Sequence, residues 1–134
     1  PYGADKLTVD HYARLYHDLY GVETVALRYF NIFGPRQRAG DYGGVISIFR
    51  EQALADDPIT VHGDGTQTRD FIHIDDVIEA NLLAATTDHV GKAYNIGRGE
   101  QTSIQTLAEA LRDITDSASA VNGSTSRRHR RQRR

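Results

Sequence analysis

A chain of 134 residues is long enough for one modest domain with a real core. It has no cysteine, which excludes disulfides and thiolate-held metal, and no apolar run approaches the roughly 18–20 residues that cross a bilayer. The net charge of −2 hides a division: residues 127–134, RRHRRQRR, carry six of the sixteen basic side chains and no acid, so residues 1–126 hold ten basic against eighteen acidic groups. A body this acidic repels phosphate backbones, so nucleic acid is not expected as its partner. With no signal-peptide pattern in view, the expected location is the cytoplasm.

The elements alternate along the chain. Tyr2 to Leu19 reads as a helix, with Leu7, Tyr12, Leu15, Tyr16 and Leu19 at three-to-four spacing and Gly21 just past its end. Thr24 to Phe30, TVALRYF, is a β-rich run closed by Asn31 and the Gly34-Pro35 breaker. A polar loop from Arg36 to Gly44 leads to a second helix, Val45 to Ala55. Ile59 to His62 is a short strand entering the turn Gly63-Asp64-Gly65, and Phe71 to Ile74 is another extended piece. Asp75 or Asp76 is placed to cap a helix from Val77 to Thr87. Ala93 to Ile96 is a strand, and Thr102 with Gln105 has the form of a capping box for a last helix from Ile104 to about Ile114. Strands alternating with helices of this length predict an α/β protein with parallel strands.

Residues 117–134, SASAVNGSTSRRHRRQRR, have almost no apolar content and are expected to form a disordered basic tail, leaving 1–116 as the folded domain. The tail reads either as a phosphate-binding arm or, preferred here, as a solvated accidental terminus. Dinucleotide-binding α/β folds place a glycine-rich turn after their first strand, where helix amides face the pyrophosphate. The close-set pairs Gly63/Gly65 and Gly97/Gly99 do not fit that pattern, so the chain is expected to be a fragment of a larger enzyme.

Tyr2 and Lys6 are four apart and share a helix face, about 5–6 Å from each other. A tyrosine with its ordinary pKa of about 10 is a poor base near neutrality, and a nearby ammonium favours its phenolate. Such a pair suits a general base for an alcohol oxidised by hydride transfer. No His, Asp or Glu spacing predicts a metal site.

In order, PYGADK, ALRYFNIFGPRQ, GVISIF, GDGTQTRDFIHIDDV and AYNIG resemble the extended short-chain dehydrogenase/reductase family over about residues 1–115. Within it the chain is most similar to the UDP-glucose and UDP-N-acetylglucosamine 4-epimerases. The resemblance implies part of a Rossmann-like, doubly wound parallel sheet plus part of a smaller carboxyl-terminal substrate lobe. It implies NAD as cofactor, a UDP-sugar as substrate, no membrane, and a homodimer formed through the helix carrying Tyr2 and Lys6. Tyr2 would be the catalytic acid/base and Lys6 its partner on the nicotinamide ribose, with Phe30 on the nicotinamide side. Asn31 and Arg69 would bind the substrate diphosphate, a forked guanidinium being suited to that task. Gly44, Val45 and Phe49 would border the base and ribose, and Thr60, Val61 and His62 would line the uracil pocket.

The resemblance further implies that Tyr2 takes the proton of the sugar 4-hydroxyl while hydride passes to NAD⁺, and that the 4-centre is inverted on return. Three departures stand out: Asp5 occupies a site where the family has a small residue, the glycine-rich loop is absent, and so is the assisting serine or threonine. Turnover by the chain alone is therefore not expected. A 4,6-dehydratase or UDP-glucuronate decarboxylase of the same family remains open, as does a non-catalytic piece whose Arg-rich tail binds nucleic acid or protein. Arg69 also has a structural alternative, pairing with Asp70 or Asp75.

Overall fold

The computed structural model describes residues 1–38, 40 and 44–124. The chain is an α/β protein of two compact units, one made of 1–32 and 72–98, the other of 33–71 and 99 onward. The chain passes between them on β2 (Asn31–Phe33), again at β5 (Phe71–His73), and last after Arg98.

The first unit opens with helix α1 (Tyr2–Tyr20), which ends at Gly21 in the left-handed conformation. Strand β1 (Val25–Tyr29) pairs in parallel with β6 (Lys92–Ile96), placing Leu27 opposite Tyr94. Three polar contacts tie α1 to the β1 segment. The Thr24 hydroxyl donates to the Ala13 carbonyl (2.9 Å), Arg28 Nε donates to Asp10 Oδ2 (2.6 Å), and His17 Nδ1 donates to the Val22 carbonyl (3.0 Å). No residue of α1 is buried, and Tyr12, Tyr16 and Tyr20 form an exposed aromatic ladder with ring centroids 6.5 and 5.3 Å apart. Helix α3 (Ile74–Ala84) buries Val77 and reaches β1 through Asn81, whose Oδ1 accepts the Tyr29 hydroxyl at 2.9 Å.

The second unit has the denser core. Helix α2 (Val45–Leu54), strand β3 (Ile59–His62) and helix α4 (Ile104–Ile114) enclose Phe49, Ala53, Ile59, Val61, Ile104 and Ala108. Ile59 and Val61 are fully buried, each contributing on the order of 1.5–3 kcal/mol of apolar burial. β3 pairs in parallel with β8 (Val121–Ser124), and β4 (Thr68–Arg69) pairs antiparallel with β7 (Thr102–Ser103).

Three expectations change. The cap of α3 is His73, whose Nδ1 accepts the Asp75 N–H at 3.3 Å; Asp75 and Asp76 lie in the first turn, where their charge suits the helix dipole. The cap of α4 is Ser103, the residue directly before Ile104, whose hydroxyl accepts from Thr106 N at 3.0 Å; Thr102 lies one residue further back, paired with Arg69 in β7. The folded chain also continues past 116, because the Asp56 carboxylate accepts from the Ser117 hydroxyl (2.9 Å) and the Ala118 N–H (3.1 Å). That anchor leads the chain through buried Ser119 into β8. The arginine-rich segment 127–134, and the loop residues 39 and 41–43, lie outside the described residues.

Gly91 meets two constraints at once. Its φ is +69°, and an added Cβ would lie 2.2 Å from His17 Cδ2, a ring already fixed by its bond to Val22. Gly91→Ala is therefore expected to cost about 1–3 kcal/mol, read as a lower midpoint in thermal denaturation. Gly3→Ala, in α1 with open space around it, should leave the midpoint unchanged or slightly raised.

Candidate functional site

The first unit carries Tyr2, Lys6, Phe30 and Asn31. Pro1 starts α1, its carbonyl accepting the Asp5 N–H at 3.0 Å, so Tyr2 and Lys6 lie on the first two turns of a formed helix. The Lys6 ammonium lies 5.5 Å from the centroid of the Tyr2 ring, within cation–π range. Tyr2 is 75% exposed, and Lys6 is exposed beside it. Among the described residues no ion pair joins Asp5 to Lys6, so the ammonium is not diverted by its neighbour. Phe30 extends the β1–β6 ladder by donating its N–H to the Ile96 carbonyl at 3.0 Å, with its ring half-exposed. Asn31 follows as the exposed first residue of β2.

The second unit carries the remaining candidates. Gly44 is the N-cap of α2, its carbonyl accepting from Ser47 N (3.1 Å) and the Ser47 hydroxyl (2.7 Å). A Cβ at Gly44 would lie 2.9 Å from Gln37 Nε2. Val45 opens the helix and packs partly against the core. On β3 the alternation of faces puts Ile59 and Val61 inward and leaves Thr60 and His62 toward the surface. The Thr60 N–H donates to Gln52 Oε1 at 3.3 Å, and the His62 carbonyl accepts Gln67 Nε2 at 3.1 Å. Arg69 is exposed on β4, Nη1 donating to the Thr68 carbonyl at 2.8 Å. Among the described residues it pairs with no carboxylate, which removes the expected structural alternative with Asp70 or Asp75.

Two candidates have buried side chains. Phe49 is 3% exposed and Val61 is fully buried, so neither side chain has surface to offer a nucleotide. Both belong to the core that α2, β3 and α4 share. The sequence reading missed Gln52 and Gln67, the side chains that hold β3 at Thr60 and His62. Their signal was faint: a glutamine three residues before the helix end and another in the polar GDGTQT stretch. Among the described residues no group of three His, Asp or Glu side chains is spaced to hold a metal ion, and no helix is long and apolar enough to cross a membrane.

The sequence profile of the NAD-dependent epimerase/dehydratase family matches residues 1–97. The chain belongs to this family. A UDP-N-acetyl-alpha-D-glucosaminuronate decarboxylase of Bacillus cytotoxicus is 39% identical over 114 residues, the match covering 85% of this chain and 36% of the relative. The crystal structure of UDP-glucose 4-epimerase from Thermotoga maritima with UDP-glucose superposes with a TM-score of 0.89 at 34% identity, covering 96% of this chain and 41% of that one. UDP-glucuronic acid 4-epimerase from Bacillus cereus, solved with UDP-glucuronic acid and NAD, gives 0.82 at 39% identity over 94% of this chain and 40% of that one. The chain thus spans about two fifths or less of the length of these relatives.

Next to the candidate strand, Asp64 closes the Gly63-Asp64-Gly65 turn. Its Oδ1 accepts the Thr66 hydroxyl (2.8 Å) and the Thr66 N–H (3.1 Å), and these bonds hold the carboxyl below its ordinary value of 3.8. A depressed folded-state pKa means the turn stabilises the fold above that ordinary value and ceases to as pH falls through the lower folded one. The melting difference between the chain and Asp64→Ala is therefore expected to be largest near neutrality and to narrow on acidification below about pH 4. A pH-independent difference would contradict this assignment.

Proposed function

We propose that this chain forms part of an NAD-dependent enzyme that epimerises a UDP-sugar at its 4-position. Tyr2 would exchange the proton of the reacting hydroxyl, Lys6 would hold the phenolate form and the nicotinamide ribose, and Phe30 would border the nicotinamide. NAD would supply the hydride acceptor. In the second unit Arg69 would grip the diphosphate, with Gly44 and Val45 near the nucleotide and Thr60 and His62 on the uracil side. Asn31 would add a neutral donor to the diphosphate.

The observation that carries this reading is the Tyr2–Lys6 pair, 5.5 Å from ring to ammonium at an exposed helix start, inside a segment that the family profile matches. The fit to the cofactor is chemical: a phenol and an ammonium exposed together can serve a ribose hydroxyl and a reacting alcohol at once. The exposed guanidinium of Arg69, not engaged by a carboxylate among the described residues, supports the diphosphate role. A second reading has its own support in the 39% identity to a UDP-N-acetyl-alpha-D-glucosaminuronate decarboxylase.

The test is a chimaera in which this chain replaces the matching segment of the Thermotoga maritima epimerase. Tyr2→Phe in it should lower turnover of UDP-glucose at least about a hundredfold, the scale of a lost general acid–base, while UDP affinity changes little. Substantial turnover by Tyr2→Phe would refute the catalytic role. Carbon dioxide release from UDP-glucuronate, with no 4-epimer formed, would favour the decarboxylase reading.

A further inference from the structure

Arg69 reaches outward from a very short support. β4 is two residues long, and the guanidinium donates to the carbonyl of Thr68 on the same strand at 2.8 Å. Where the strand goes, the guanidinium follows. A two-residue ladder fixes little by itself, so the additional links to this segment decide how well Arg69 is held.

Four of those links run to one stretch, 99–104. The Gln67 carbonyl accepts the Ile104 N–H at 3.0 Å, the Thr68 hydroxyl donates to Gln101 Oε1 at 3.3 Å, and Arg69 lies opposite Thr102 in the antiparallel pair. The row ends at Asp70, whose Oδ2 accepts the Gly99 N–H at 2.8 Å. Gly99 presents that N–H from a backbone with φ of +76°, a conformation glycine adopts without strain. The chain leaves this unit after Phe71 and re-enters it at Gly99, so the Asp70 bond joins the exit to the re-entry. It is also charge-assisted, about twice as strong as its neutral counterpart.

We infer that Asp70 is a positioning residue for Arg69, clamping β4 to the re-entering chain so that the guanidinium is presented to a diphosphate. This rests on the reading that Arg69 binds that group. A carboxylate beside an anion site would ordinarily repel the ligand; its engagement with the Gly99 amide gives it a structural task that a neutral acceptor can also perform. Asp70 itself touches no ligand atom in this role.

The experiment is calorimetric titration of UDP into the full chain and its Arg69→Ala, Asp70→Ala, Asp70→Asn and double Ala variants, with UDP-glucose KM measured in the chimaera carrying the same changes. Asp70→Ala should weaken UDP about three- to tenfold, the scale of one lost hydrogen bond. Asp70→Asn should bind nearly as well as the parent, because its amide oxygen still accepts from Gly99. In the Arg69→Ala background, Asp70→Ala should add no further loss, since its effect passes through the arginine. If Asp70→Ala fails to fold, Asp70→Ser, which draws the acceptor back toward the backbone, carries the same expectation. Unchanged UDP affinity in folded Asp70→Ala, alongside a weakened Arg69→Ala, would overturn the inference and leave the Arg69 reading intact. Independent, additive losses would also overturn it. Unchanged affinity in Arg69→Ala would instead remove the reading on which it stands.

Discussion

Strand β3 can serve a surface only because two of its four side chains are locked inside. Ile59 and Val61 have no exposed surface, and α2, α4 and β8 gather around them. Alternation along a strand then leaves Thr60 and His62 no choice of face. A slip of one residue would exchange the two sets, burying a threonine and a histidine and exposing two branched aliphatics. The hydrophobic effect thus fixes the register, and the register fixes which side chains face outward. The same constraint commits the Phe49 and Val61 side chains to the core.

The first unit relies on polar ties. α1 buries no residue, so its placement depends on Thr24 reaching Ala13, Arg28 reaching Asp10 and His17 reaching Val22. Partly exposed ion pairs such as Arg28–Asp10 contribute modestly to stability, typically about 1 kcal/mol or less. They do set geometry, and the proposed proton-transfer role of Tyr2 and Lys6 requires that the orientation of α1 be set. The apolar side chains left on α1, the Tyr12–Tyr16–Tyr20 ladder with Leu15 and Leu19, add surface on which further polypeptide could pack.

Much of the fold was legible because periodicity is a local property. The four helices and the strands at 25–29, 59–62 and 92–96 follow from spacing and breakers in the sequence. The caps were less legible: His73 stands two or three residues before the expected Asp75 or Asp76 and Ser103 one residue after the expected Thr102, because each helix starts directly from the last residue of a short strand. β8 was hidden because its residues, VNGS, sit in a polar stretch and gain their strand character from β3 and the Asp56 anchor. Of the candidate site, the Tyr2–Lys6 face could be read from helical spacing. The inward turn of Phe49 and Val61 could not, since a family motif does not say which face of its own helix or strand a core will claim. The brace of Arg69 was likewise out of reach, as it joins Asp70 to Gly99 across twenty-nine positions.

The proposed nucleotide site draws chiefly on the outward face of β3 and on β4, in the second unit. Amide hydrogen exchange of the chain, followed by mass spectrometry with and without UDP, tests it most directly. The account predicts slowed exchange across 59–70 and 99–103 on addition of UDP, with 2–20 unchanged. Protection confined to α1, or no change across 59–70 at saturating UDP, would contradict it.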